Sequence, residues 1–338
     1  MHTQHIPYVS NTKAIVDLLA QESGLIWYHS GENAQECEWI AAWPTQEYTY
    51  LGEQTIEQTD LEGCTTHIKD DWFEFLKQKA LPCTAPSVYK FTGGLAGHLS
   101  YDLGIELMNI ESRLAVTDLP LATVGLYHWC LYIDHQKKKA WIITQPQCPD
   151  LVIDKIRQFS NKLKSIDPSW SAKRQVVSTP WQCQMTKQTY AKAFNAIADY
   201  IVEGDAYQVN LTRQWQNQAP DSDDWMLYCN LTQAMPAPFS VFHRGKNHTL
   251  LSVSPERFIQ VTGSKIITQP IKGTRPHLPD PDENQRQIND LVNSDKDRAE
   301  NLMIVDLLRN DIAKNALAGS VHVEKLFEVQ SFKNVHHL

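Results

Sequence analysis

Residues 250–276 run LLSVSPERFIQVTGSKIITQPIKGTRP. Two β-favouring stretches, Leu250 to Val261 and Lys265 to Ile271, flank the turn Thr262-Gly263-Ser264. Apolar and β-branched residues on both sides of a short glycine turn predict a hairpin. A three-residue turn pairs positions whose numbers sum to about 526, which brings Glu256 and Lys272 to the same end of the hairpin and to the same face. A one-residue slip of register separates them.

Reading outward, two helices are predicted downstream, about 282–292 and 295–311. Ser294 is placed to cap the second, with Asp297 three residues on as an approximate capping box. Upstream, Tyr190, Phe194, Ile197 and Ile201 share a helical face, Gly204 supplies a stop, and a strand is expected from Tyr207 to Gln214. Further back, Val152, Ile156, Phe159 and Leu163 recur at helical spacing before a polar, proline-containing stretch at 167–181.

The first part of the chain is strand-rich, with short runs at 25–28, 38–42 and 48–51, and a hairpin over 127–134 and 140–144 whose tip is His135-Gln136-Lys137-Lys138-Lys139. The glycine-rich segment from Phe91 to Asp102 lacks the Gly-Lys-Ser/Thr ending of a phosphate loop, so close backbone packing is its expected role. Strands and helices mixed without strict alternation, and without repeats, predict an α+β or complex α/β fold. The divisions expected are a strand-rich region at 1–147, a helix and linker at 148–186, and a chemistry-bearing region at 187–338.

Composition narrows the function. The 338 residues are 42% hydrophobic and 21% charged, with a net charge of -8 and a pI of about 5.9. An acidic chain lacks the basic face that binding nucleic acid requires. No stretch has the roughly 20 apolar residues of a membrane span, and the N-terminus has no secretory pattern, so a cytoplasmic protein is expected. Seven scattered cysteines without a Cys-x-x-Cys pair predict reduced, mostly buried thiols.

Lys272 stands between an apolar strand and a tight glycine turn. Burial there would disfavour its ammonium form and free the amine to act as a nucleophile, unless the side chain snorkels out of the strand end. Glu256 offers a carboxyl acid at the same site. Asp297, Glu300 and Asn301 share a helix face by i, i+3 and i+4 spacing, with Leu302, Val305 and Leu308 expected elsewhere. That face could hold Mg²⁺ through a lone carboxylate, or be a solvated, ion-paired surface. Of the adjacent His336 and His337, strand alternation allows only one into a given site.

Four blocks in order resemble the chorismate-binding family: Gly204-Asp205-Ala206-Tyr207-Gln208-Val209-Asn210-Leu211, Ser254-Pro255-Glu256-Arg257-Phe258, Pro270-Ile271-Lys272-Gly273-Thr274-Arg275-Pro276, and Lys296 to Asn301 with Asp306 to Asp311. The resemblance implies an anthranilate synthase component I-like fold, α+β with large mixed or antiparallel sheets flanked by helices. Within the family, the lysine at position 272 resembles the aminodeoxychorismate synthase branch rather than the anthranilate, isochorismate or salicylate synthases, which typically carry alanine there. Gln208 agrees, because the water-adding members have a lysine at that position.

The resemblance implies amination of chorismate to 4-amino-4-deoxychorismate on the route to p-aminobenzoate and folate. Lys272 would be the covalent nucleophile and Glu256 the general acid; Gly273, Thr274, Gln208 and His337 would line the substrate. It also implies Mg²⁺ held in part by Glu300, ammonia delivered by a glutamine amidotransferase subunit in a heterodimer, and a tryptophan pocket near Ser30 and Pro236. Family members continue for roughly a hundred further residues, so a C-terminally incomplete chain is expected, with a second metal glutamate and further carboxylate contacts beyond Leu338. Anthranilate synthase component I, or a non-catalytic remnant that binds the amidotransferase, are the alternatives.

Overall fold

The apolar runs of the first 147 residues form strands, as their aromatic and β-branched content predicts, and they divide between two sheets. The computed structural model describes residues 1–31, 37–81, 88–110, 119–175, 177, 179–218 and 223–338. These fall into two units, Met1–Ser171 with Leu231–Leu338, and Ala172–Asn230.

The first unit opens with β1 (His2–Ile6), α1 (Thr12–Asp17), β2 (Ile26–His29), β3 (Cys37–Ala41), β4 (Gln46–Gly52), β5 (Thr55–Asp60), β6 (Thr65–Lys69), α2 (Trp72–Lys79) and β7 (Gly94–Leu99). It continues with α3 (Tyr101–Leu107), β8 (Ala122–Tyr127), β9 (Trp129–Asp134), β10 (Lys139–Thr144) and α4 (Asp150–Leu163). The second unit holds β11 (Gln182–Cys183), α5 (Lys187–Glu203), β12 (Trp215–Gln216) and the first turns of α6 (Asp224–Ala234). After α6 come β13 (Phe239–Arg244), β14 (Thr249–Ser254), β15 (Arg257–Thr262), β16 (Lys265–Gln269), β17 (Thr274–Pro276), α7 (Pro281–Asn293), α8 (Asp295–Ala313), β18 (Gln330–Ser331) and β19 (Val335–His337).

A seven-stranded sheet runs in the order β1-β10-β9-β3-β2-β13-β14, and a five-stranded one in the order β6-β5-β4-β8-β7. Every pairing in both is antiparallel. The sheets meet in a core of Ile26, Ala41, Cys130, Tyr132 and Ile143 from one and Ala96 and Tyr127 from the other. The Tyr28 hydroxyl ties them further by donating to the Gly97 carbonyl at 3.1 Å. On its outer side the five-stranded sheet packs Tyr48, Tyr50 and Ile56 against Trp72 and Phe75 of α2 and Leu103 of α3. On the other side of β9, Trp129 contacts Phe159 of α4 with ring centroids 5.8 Å apart. Covered on both faces, β9 is apolar at nearly every position.

The expected arm 127–134 divides at His128, because Tyr127 ends β8 in one sheet and Trp129 begins β9 in the other. Gly97 confirms close packing as the role of its segment: a Cβ there would lie 2.0 Å from the Thr123 carbonyl oxygen. In the second unit α5 is capped by Thr186 and stopped at Gly204, φ 86°. The expected strand 207–214 does not form. Tyr207 and Val209 stay exposed, and β-propensity without a sheet edge to pair with does not make a strand. None of the six described cysteines is in a disulfide, and Cys64 is exposed; Cys83 lies outside the described residues. No helix among the described residues is long and apolar enough to cross a membrane.

Candidate active site

Pro255 has no amide N–H to continue a ladder. The run 250–261, expected as one arm, is therefore two strands: β14 pairs with β13 in the seven-stranded sheet, while β15 forms a separate hairpin with β16. The turn is also tighter than expected, since Thr262 faces Lys265 across only Gly263 and Ser264. A bulge between Arg257 and Gln260 then shifts the pairing by one residue, so that Arg257 faces Gln269. At the far end the register is thereby the one a three-residue turn would have produced. There the Glu256 carboxylate accepts the Ile271 N–H at 3.1 Å, one residue before Lys272.

The lysine itself is half-buried. Its N–H donates to the Leu338 main-chain oxygen at 2.9 Å, and the Leu338 N–H donates to the Gly273 carbonyl at 3.3 Å. Gly273 sits at φ 80°, and a Cβ on it would lie 2.9 Å from Leu291 Cδ1 and 3.0 Å from Asp297 Cβ. Only glycine accommodates both that dihedral and so close an approach to α7 and α8. The chain then enters β17, which pairs with β19 so that Thr274 faces His337 and Arg275 faces His336.

Thr274 Oγ1 and His337 Nδ1 are 3.0 Å apart. Burial pushes the His337 imidazole below its ordinary pKa, opposed by a hydrogen bond with the Gly273 backbone and by the Glu256 charge. His336 faces the other way, with Ser331 Oγ at 2.8 Å and Asn284 Oδ1 at 2.7 Å, its ring stacked on His277. The Lys272 backbone and the side chains of Glu256, Thr274 and His337 thus lie close together, bringing a carboxylate, a hydroxyl and an imidazole to the segment that carries the lysine.

Helix α8 forms the floor. Asp297 and Asn301 are buried, and Glu300 is half-buried. Arg275 donates through its guanidinium to Asp297 at 2.9 Å and to Asp290 of α7 at 2.5 Å. The Ser294 hydrogen bond and the Arg275 charge hold the Asp297 carboxyl below the usual carboxylate range. Asn301 Nδ2 donates to the Leu338 main-chain oxygen at 3.1 Å. Val305 and Leu308, expected on another face, line the same groove as Asn301. This groove of about 1400 Å³ reaches Ile271, His337 and Leu338, and neither Lys272 nor Glu256 is among its walls.

No cluster of three or more metal-ligating side chains occurs among the described residues. A magnesium ion held through Glu300 would take most of its octahedral shell from water and substrate oxygens, a mode that Mg²⁺ commonly adopts. Gln208, in the second unit, is half-buried. Gly31, next to Ser30, runs close to the Pro236–Ala237 main chain, where a Cβ on it would lie 2.9 Å from the Ala237 nitrogen and 3.2 Å from the Pro236 carbonyl carbon, and the buried Ser30 Oγ has no hydrogen-bond partner among the described residues. The Arg275 pairs and the Asn301 contact were not foreseen. The i, i+4 spacing of Asp297 and Asn301 was visible, but nothing in the sequence linked that face to Leu338.

The chain is similar to aminodeoxychorismate synthase component 1 of Escherichia coli K12, 38% identical over 318 residues that cover 88% of this chain and 64% of that protein. It is 41% identical to the protein of the same name from Salmonella typhimurium, over 73% of this chain and 53% of that one. The chain thus spans less than two thirds of the length of these relatives. Among solved structures, anthranilate synthase component I of Streptococcus pneumoniae TIGR4 superposes with a TM-score of 0.72 at 20% identity, covering 89% of this chain and 68% of that one. The menaquinone-specific isochorismate synthase of Escherichia coli does so at 0.61 and 15% identity, covering 99% and 68%. These likenesses establish the α+β fold with its large antiparallel sheets. Residues 26–338 match the family described as chorismate binding enzyme, and the chain belongs to that family.

Proposed function

We propose that this chain carries the site of an aminodeoxychorismate synthase, which converts chorismate and ammonia to 4-amino-4-deoxychorismate. The observation that supports it most is Lys272, half-buried on a segment whose neighbours are Glu256, Thr274 and His337. The relatives named for this activity add to it.

In this reading the Lys272 amine forms a bond to C2 of chorismate, both ring double bonds shift toward C4, and the C4–O bond breaks. Glu256 delivers the proton with which the 4-hydroxyl leaves as water. Ammonia then bonds to C4, both double bonds shift back, the C2–N bond to Lys272 breaks, and the proton given up by the new C4 ammonium group balances the one the departing lysine amine carries. Gly273, Thr274, His337 and Gln208 would line the substrate. Mg²⁺, held in part by Glu300, would supply neutralisation of the ring carboxylate. The ammonia would come from a separate glutamine amidotransferase subunit. A tryptophan pocket near Ser30 and Pro236 would be supported by the close approach of Gly31 to the Pro236–Ala237 main chain.

Intact-mass measurement after incubation with chorismate, without ammonia, tests the central step. The expected result is a covalent adduct of chorismate less one water, absent in Lys272→Ala. An adduct that persists in Lys272→Ala would take the nucleophile's role from this residue.

A further inference from the structure

The segment that carries Lys272 is held from below by a residue of α8. Asn301 is 4% exposed in the middle of that helix. Asparagine is a poor helix former, and a buried amide is costly unless it is hydrogen-bonded. Its side chain finds a partner outside the helix, the Leu338 main-chain oxygen at 3.1 Å. That same oxygen accepts the Lys272 N–H at 2.9 Å, so its two lone pairs serve two donors. One turn earlier on the same face, Asp297 packs beneath Gly273 and binds Arg275. Helix α8 therefore touches the Lys272-bearing segment on both sides: through Asp297 after the lysine, and through Asn301 by way of Leu338.

We propose that Asn301 is a positioning residue for Lys272, fixing the lysine backbone by orienting the main-chain oxygen to which its N–H is bonded. The inference rests on reading Lys272 as the nucleophile. Misplacing a reacting group by about 1 Å can cost a hundredfold in rate, and Lys272 lies just outside β17, where its N–H is held by the Leu338 oxygen. Without the Asn301 donor, the Leu338 oxygen keeps only the Lys272 N–H, and the orientation of the Lys272 peptide is less tightly fixed.

Two variants test this. Asn301→Leu keeps the branched shape and removes the donor. Asn301→Asp keeps the shape, presents an acceptor when ionised and recovers a donor when protonated. Amide exchange at Lys272 and the rate of acetylation of its amine by acetic anhydride are measured, with Lys265 and Lys296 as internal standards. At neutral pH we expect Lys272 exchange at least tenfold faster in both variants and a threefold or larger change in its relative acetylation. Relative to wild type at the same pH, Asn301→Asp should recover toward pH 4. With chorismate and ammonia, kcat should fall at least tenfold while KM stays within threefold.

Exchange and acetylation unchanged in both variants would overturn the proposal, whatever the adduct does. A wild-type chain that forms no adduct, with Lys272 still deprotected in the variants, would remove the nucleophile and uphold the positioning contact. If Asn301→Leu fails to fold, Asn301→Asp alone decides.

Discussion

Gly273 joins two demands that no side chain can meet together, a left-handed dihedral and contact with two helices. Replacing it by alanine should destabilise the chain by about 1–3 kcal/mol, measured by urea unfolding, and should slow adduct formation at the neighbouring lysine. Arg275 is a second case. Its removal leaves the Asp297 carboxylate, 8% exposed, without its cation, at a cost of about 1–3 kcal/mol. Because the Asp297 pKa is depressed in the folded chain, its contribution is present at neutral pH and is lost as pH falls through that depressed value. Comparing urea midpoints of Arg275→Ala and wild type at pH 7 and pH 3 checks this, and the gap should narrow at the lower pH.

At the scale of elements, helices were the most legible part of the sequence. Periodicity placed α4, α5, α7 and α8 to within a few residues, and Ser294 caps α8 by accepting the Asp297 N–H at 3.3 Å. Ser294→Ala should cost about 1 kcal/mol, seen as a lowered thermal midpoint. Strand boundaries were less legible, because one alternating run can serve two sheets. Pro255 and His128 each mark such a change, and only the proline has a local cause. The bulge in β15 is the element-scale feature on which the site depends. It sets that register by absorbing one extra residue, so deleting Ile259 should restore regular pairing with Arg257 still facing Gln269, and the Glu256 contact with the Ile271 N–H and adduct formation should both be retained; loss of the adduct in this variant would show that the bulge does more than set the register.

Across the first unit, the two sheets are joined by three histidines. His98 of β7 and His243 of β13 approach to 3.3 Å between their Nδ1 atoms, and the His248 ring lies 5.1 Å from that of His98. Burial, with the neighbouring imidazoles, pulls His98 down to about 4 and His243 to about 3. The unfolded chain protonates these groups near 6.5, so below that pH it binds more protons than the folded chain and stability falls as the pH drops. His243 alone should lower stability by about 3 kcal/mol between pH 7 and pH 4. In urea titrations across this range His243→Gln should show a flatter dependence; parallel curves for variant and wild type would remove the cluster as the cause.

The sequence by itself determined the family and the helices α4, α5, α7 and α8, and it singled out Glu256 and Lys272, because caps, periodicities and motif blocks are local and depend on few neighbours; α1, α2, α3 and α6 were not legible in it. It also located Asp297 and Asn301 on one helix face, without saying what that face met. Only the tertiary structure decided how the strands divide between sheets, that a two-residue turn and a bulge together place Glu256 beside Ile271, and that Asn301 reaches Lys272 through Leu338. These are contacts between segments far apart in the chain. Their geometry is set by which surfaces bury one another, and no single stretch of sequence carries that information.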